Sequence, residues 1–236
     1  MIKIRTKKPV HYLQYDPKWG NIMFSNHNDR KQNIASSGCG ATSMSMIAST
    51  FIDSRIDPPT LAEFIVQNGY RTYNNGVDWS FFKFAAEYYK LNFKQTFSTD
   101  DVIQALKMNA LVVASMGKGY FTNFGHYIML WGLDENNKQI LVNDPNSTTR
   151  THASYNIFRS QASCYFIFYD PNIIKEVMNL FTDLSKNHWA AKDVEFLVSK
   201  GIVKGKDDGS FGVGEPIKRE EVAVLLARIL RLLGIQ

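Results

Sequence analysis

Cys39 stands where a polar loop turns into a helix, in Ser36-Ser37-Gly38-Cys39-Gly40-Ala41-Thr42-Ser43-Met44. From there Met44, Ile47, Ala48 and Phe51 fall at i, i+3, i+4 and i+7, one stripe of a helix. The helix starts at or just after Cys39, so its unpaired N–H groups and positive dipole end lie near the sulfur. A thiol placed there loses its proton more readily and is the better nucleophile. Gly38 and Gly40 remove side-chain bulk where a substrate backbone would approach. The same residues also fit a small buried cysteine packed under a helix.

A base and its orienting partner are spaced for one hairpin. Gly125-His126-Tyr127-Ile128-Met129-Leu130-Trp131-Gly132-Leu133 reads as a strand, almost continuously apolar after the histidine. Asp134-Glu135-Asn136-Asn137 is turn chemistry, and Lys138 to Asn143 forms a second strand that Asp144-Pro145 stops. Folding about Glu135 and Asn136 sets His126 across from Asp144 and Pro145. A carboxylate there holds the ring in one tautomer and stabilises its protonated form. A register slip of one or two residues offers Asn143 or Asn146 instead, and a strand-end His–Asp pair is also ordinary surface chemistry. His11, His27 and His152 read as solvated or locally bonded residues. Cys164, in Cys164-Tyr165-Phe166-Ile167-Phe168-Tyr169, reads as core. No His/Cys cluster has metal-ligand spacing, so neither metal nor cofactor is expected.

The elements that must position these groups are legible in outline. Thr60-Leu61-Ala62-Glu63 has capping-box spacing and opens a helix after Pro58-Pro59. Asp78 starts another, and Ser98 to Met108 gives a third with Asp100 and Asp101 at its favourable end. Leu111 to Met116 is a buried strand. Helices come first and antiparallel strands later, an α+β arrangement.

At this point the sequence resembles the papain-like cysteine peptidases of the bacteriocin-leader-processing type and their cell-wall-acting relatives. Three segments carry the likeness: Gln14-Tyr15-Asp16-Pro17-Lys18-Trp19-Gly20-Asn21, then Gly38 to Met44, then Gly125-His126-Tyr127 with Val142-Asn143-Asp144-Pro145. The resemblance implies a papain-like fold, a helical lobe plus an antiparallel sheet, over residues 1–174. It also implies Cys39 as nucleophile, His126 as general base and acid, and Asp144 as orienter. These enzymes use a glutamine as oxyanion donor, commonly a few residues before the cysteine. Here the motif glutamine is Gln14, far upstream, with Gln32 and Asn33 closer in sequence. The backbone N–H of Cys39 supplies the other half of that hole.

Composition changes after Tyr169-Asp170-Pro171-Asn172, and a small helical domain over 178–236 follows. Asp193 to Val198 forms a helical stripe capped at Gly201. Arg219 to Leu233 forms another, with Val222, Leu225, Leu226, Ile229 and Leu233 in period. This stretch is similar to one S-layer-homology module, on Phe181, Asp183, His188-Trp189-Ala190, Gly201-Ile202, Gly205, Asp208-Gly209, Phe211 and Arg219. The likeness implies anchoring to bacterial wall polysaccharide, with Asp183, His188, Trp189 and Arg219 as candidate glycan contacts. The family's Thr-Arg-Ala-Glu motif reads Lys218-Arg219-Glu220-Glu221 here, which places a cation at the unfavourable helix end. A lone copy leaves an apolar face short of partners, so self-association as a trimer is expected, and a monomer by light scattering would remove that idea.

The 236 residues suit one large and one small domain, with a net charge of +5 and two cysteines. That balance favours weak attraction to anionic wall polymers over nucleic-acid binding, for which no motif exists. Met1 to Lys8 is charged without an apolar core, unlike a secretory signal, and no segment is apolar enough to span a bilayer. The expectation is an endolysin-like, phage-encoded hydrolase, made in the cytoplasm and pore-released to cut an amide of peptidoglycan. The competing classes are a leader peptidase or acyltransferase on a soluble peptide, and a non-catalytic wall-binding protein.

Overall fold

The structure, a computed structural model, describes residues 8–73, 76–170, 181–185, 187–199, 202–206 and 208–232. The chain divides into two compact units, Lys3–Pro171 and Asn172–Gln236. The expected domain ends at 174 and 178 lie outside the described residues, as do the expected cap Gly201, the stripe residue Leu233 and the segment Met1 to Lys7.

In the first unit the helices are α1 (Ile34–Ser37), α2 (Cys39–Phe51), α3 (Pro58–Gln67), α4 (Ser80–Tyr88), α5 (Thr99–Lys107) and α6 (Tyr155–Gln161). The strands are β1 (Asn92–Thr96), β2 (Leu111–Met116), β3 (His126–Asp134), β4 (Gln139–Asn143), β5 (His152–Ser154) and β6 (Ala162–Tyr169). They form one sheet in the order β1-β6-β2-β3-β4-β5, each neighbouring pair antiparallel. The mixed helix and antiparallel sheet is that of the papain-like class.

Alternation along β2 explains why both faces of the sheet are covered. Leu111 and Val113 join a core with Met44, Ile47, Phe81, Phe82 and Phe166 from α2, α4 and β6. Val112 and Ala114, one residue out of phase, join a second core with Val102, Leu106, Phe158 and Ile167. The unbroken apolar run in β3 follows, because its two faces meet different cores.

Three local expectations need correction. The helix α2 is not amphipathic: every residue from Gly40 to Ala48 is buried, Thr42, Ser43 and Ser45 included. It is a central helix between α3 and the sheet, so the stripe read at Met44, Ile47, Ala48 and Phe51 is only one side of its buried surface. Full burial of Met44, Ile47 and Phe51 contributes about 1.5–3 kcal/mol each, which fixes the helix and hence Cys39 at its first turn. The helix α3 is capped by Asp57, not by Thr60. The Asp57 carboxylate accepts the Thr60 N–H at 3.0 Å, and both prolines sit in the first turn, where no N–H is needed. The hairpin register shifts at a bulge, with Leu130 opposite Val142 but Gly132 opposite Leu141.

The second unit contains α7 (Ala191–Ser199) and α8 (Arg219–Leu232). Ala191, Val194 and Ile202 are its buried apolar residues among those described. Along α8 the periodic Val222 and Leu226 are exposed while Leu225 and Ile229 are half-buried, so the predicted stripe is only partly covered within this unit. Lys218 caps α8 with its N–H donated to the Glu221 carboxylate at 2.9 Å, which offsets the missing threonine hydroxyl. Among the described residues no helix is long and apolar enough to cross a membrane.

Candidate active site

The site assembles where the first turn of α2 meets the start of β3. Gly38 carries the N-cap position of α2, and the Thr42 N–H donates to the Gly38 carbonyl at 2.8 Å. The amides of Cys39, Gly40 and Ala41 precede that first bond, so they lie outside the helical ladder. The two glycines have internal reasons besides the expected substrate clearance. A Cβ on Gly38 would sit 2.5 Å from the Ile34 carbonyl oxygen, and one on Gly40 would sit 2.9 Å from Val77 Cγ2. Both are dictated by close packing around the cysteine.

His126 opens β3, and Asp144 leaves β4 directly after its last paired residue, Asn143. His126 Nε2 donates to Asp144 Oδ1 at 2.7 Å. The ring's other nitrogen is left for Cys39, close enough that the imidazole and the thiol shift each other's proton affinity. The structure therefore brings Cys39, His126 and Asp144 together. Burial pushes the Cys39 thiol up, but the His126 hydrogen bond and charge, with the amides of Tyr127 and Gly40, outweigh it and lower the pKa. Burial likewise disfavours the imidazolium, yet bonds to Asp144 and Cys39 raise His126 to about 9. Asp144, fully buried, is pushed up by burial and held below the usual carboxylate range by His126, Arg150 and the Asn146 amide. All three directions favour a thiolate–imidazolium pair resting on an ionised aspartate.

Gln14 is buried against the same region. Its backbone N–H donates to the Pro145 carbonyl at 2.8 Å and its Nε2 to the Ala35 carbonyl at 2.6 Å. Its Oε1 finds no partner among the described residues. Of the two sequence-nearer candidates, Asn33 Oδ1 caps α1 through the Ser36 N–H, and Gln32 Oε1 accepts from Arg71 while its Nε2 meets His27. Of the register alternatives, Asn143 donates its side-chain amide to the Pro9 and Val10 carbonyls, and Asn146 gives its backbone N–H to Asp144 Oδ1 at 2.8 Å.

Three residues escaped the sequence reading. His11 is not merely local: its Nε2 donates to the Asp144 carbonyl at 2.7 Å, across 133 positions. His27 and His152 do keep local partners, Asn26 and Thr151. Arg150 Nε donates to Asp144 Oδ2 at 2.6 Å. Arg71 is 2% exposed and donates to five neutral acceptors: the carbonyls of Phe24, Thr72 and Gly76, Gln32 Oε1 and Ser37 Oγ. It ties Ser37, before Cys39, to Thr72 and to Gly76, the neighbour of the Val77 side chain that abuts Gly40. Replacing Arg71 by alanine strands those acceptors, so an expected loss of about 3–5 kcal/mol should appear in urea unfolding at pH 7. A loss below about 1 kcal/mol would mean that water substitutes for the guanidinium.

The sequence profile of the Peptidase_C39 like family matches residues 21–172, a span holding Cys39, His126 and Asp144. The chain belongs to that family. Gln14 lies outside the matched span of the Peptidase_C39 like domain, although its bonds reach Ala35 and Pro145 within it. A second profile, the S-layer homology domain, matches residues 180–223. The chain is 42% identical over 52 residues to the S-layer protein sap of Bacillus anthracis, 22% of this chain and 6% of that one. It thus spans about 6% of the length of the curated S-layer relatives it matches. Among solved structures, the peptidase domain of Streptococcus ComA aligns over 58% of this chain and 93% of that one, at 16% identity and a TM-score of 0.44. A chain described as a C39-like peptidase from Bacillus anthracis aligns over 69% and 98%, at 15% identity and a TM-score of 0.43.

Within the S-layer homology domain the four candidate glycan contacts differ in kind. Asp183 accepts the N–H groups of Phe211, Gly212 and Val213 at 2.7, 2.8 and 2.8 Å, which holds its carboxyl at about 2 and makes it an organiser of that loop. His188 accepts the Ala190 N–H, while the neighbouring Trp189 is 86% exposed. Arg219 is exposed at the first turn of α8. Sequence reasoning missed a cavity of about 490 Å³ between α8 and the preceding loop, lined by Lys204, Lys206, Phe211, Val224, Leu225 and Arg228 among others.

Proposed function

We propose that this chain is a cysteine hydrolase that cuts an amide bond of bacterial peptidoglycan and is held at the wall by its S-layer homology domain. The observation that carries the reading is the contact of a thiol at a helix start with an imidazole bonded to a buried carboxylate, in a chain of the Peptidase_C39 like family. The wall as the place of action is supported by the S-layer homology domain. There the exposed Trp189 offers a stacking face to a sugar ring.

In this reading the Cys39 thiolate attacks the amide carbonyl carbon, and the C=O electrons move onto oxygen. The free amides of the α2 start, with Gln14 Nε2 as the side-chain donor, stabilise that oxyanion. The C–N bond breaks as His126 passes its proton to the departing nitrogen, leaving a thioester. Water then attacks, His126 takes its proton, and the S–C bond breaks to release the carboxylate and restore the thiolate–imidazolium pair. Asp144 holds the ring's Nε2 proton throughout and stabilises its charge.

The test is digestion of purified walls under reducing conditions with mass analysis of the soluble fragments. New amine and carboxyl ends at one bond type are expected, and they also name the bond. Intact walls alongside efficient cleavage of a soluble peptide would reject the peptidoglycan assignment and leave a peptidase of another substrate.

A further inference from the structure

Asp144 carries two cations, not one. Oδ1 accepts from His126 at 2.7 Å and from the Asn146 N–H at 2.8 Å, while Oδ2 accepts from Arg150 Nε at 2.6 Å. The carboxylate is fully buried and the Arg150 side chain is 28% exposed, so the guanidinium bridges the buried carboxylate to the surface. Its backbone is anchored separately. Ser147 Oγ accepts the Arg150 N–H at 3.0 Å and the Thr149 N–H at 3.2 Å, and the Val142 N–H donates to the Thr151 carbonyl at 2.7 Å. The turn from β4 to β5 would keep this shape without the guanidinium. The side chain's reach to Asp144 therefore calls for another explanation.

We propose that Arg150 is a positioning residue that tunes the proton affinity of His126 by sharing the charge of Asp144. This rests on the reading of Cys39 and His126 as the reacting pair. An aspartate serving the imidazolium alone would hold the ring proton tightly, and an over-stabilised imidazolium is a poor acid toward a leaving amine. A second cation on Oδ2 opposes the ring's charge and draws part of the carboxylate's field away from it. It also stops the carboxylate from rotating, since each oxygen has its own donor. Among the described residues, the charged and titratable groups facing this unit are Cys39 from α2, Arg150 from the β4–β5 turn and His11 from the N-terminal segment, which donates to the Asp144 carbonyl. Of these only Arg150 is a permanent cation in contact with the carboxylate.

A merely structural arginine would change stability without moving the ring's titration. The experiment follows the His126 ring by NMR across pH in the full chain, beside wall hydrolysis by the same samples. In Arg150→Gln the His126 midpoint is expected to rise by about one pH unit, a ten-fold tighter hold on the proton. Turnover near neutrality is expected to fall about ten-fold. Arg150→Lys, which keeps the cation, should stay near the wild-type midpoint. If Arg150→Gln does not fold, Arg150→Met retains the apolar stem and carries the same comparison. A midpoint that is unmoved or lower in the neutral variant overturns the proposal. Because the titration needs no substrate, this outcome is independent of whether walls are the substrate.

Discussion

Cys39→Ala is expected to abolish amide cleavage, lowering turnover by at least about 10⁴-fold, while the protein still sediments with walls. The size of the effect follows from the mechanism. Without sulfur no thioester forms, and what remains is the binding and oxyanion stabilisation that surviving groups give to direct attack by water. Retention on walls is expected to persist because the residue offered for it, Trp189, belongs to the other unit. Stability should change little, since alanine keeps the Cβ and the helix start is packed through Gly38, Gly40 and the buried face of α2. Lysis retained by Cys39→Ala would reject the nucleophile. Lysis absent from wild type and variant alike, with binding intact, would favour a non-catalytic wall-binding protein.

His126→Ala should produce the second large effect, and it separates the thiolate from the rest of the chemistry. Burial pushes Cys39 up, and the His126 contact is the main influence opposing it. With the ring gone only two backbone amides oppose burial, so the thiol is expected to return to or above its ordinary 9.0. The direction is fixed by the sign: a lowered pKa increases the thiolate fraction at neutral pH, and removing its cause decreases that fraction. Alkylation of Cys39 by iodoacetamide at pH 7 should slow by at least about ten-fold for each unit recovered, with the midpoint of the rate–pH curve moving up. Cys164, fully buried, contributes little to that signal. Hydrolysis should fall at least as far as alkylation, because the leaving amine also loses its acid. An alkylation midpoint unchanged in His126→Ala would mean that the helix start alone activates the sulfur.

The position of Cys39, the proposed nucleophile, was legible because the signals for it are local. A polar loop, a glycine on either side and an apolar period beginning at Met44 are all contiguous, and the helix does begin at Cys39. The His126–Asp144 pair was legible for a related reason: one hairpin with an obvious turn joins them. Even the unforeseen bulge between Leu130 and Gly132 left them in reach, because Asp144 leaves the ladder and turns freely toward the ring. The register alternatives Asn143 and Asn146 differ from Asp144 by one and two positions. Only the path of the chain after β4 decided which side chain meets the imidazole.

Other parts of the site depend on segments that sequence distance hides. His11 and Gln14 reach the Asp144–Pro145 stretch across more than a hundred positions, and Arg71 reaches the loop before Cys39 across 34. A loop arginine such as Arg150 carries no periodic signal, and its composition is that of any solvated turn. The packing role of Gly38 and Gly40 was hidden for the same reason. What would occupy their missing Cβ positions is Ile34 in one case and Val77 with Tyr127 in the other, and only packing reveals that.

By itself the sequence determined the helix start under Cys39, the hairpin joining His126 to Asp144, and the change of composition that begins a second, helical segment. These are short-range consequences of periodicity, turn chemistry and capping, in which each residue acts on near neighbours. The tertiary structure decided that α2 is buried on all sides from Gly40 to Ala48, that the sheet is covered on both faces, and that Arg150, His11 and Arg71 converge on the segments around Cys39, His126 and Asp144. Those outcomes arise from burial and from hydrogen bonds between distant segments. They are set by how completely the whole chain can exclude water, which no local pattern encodes.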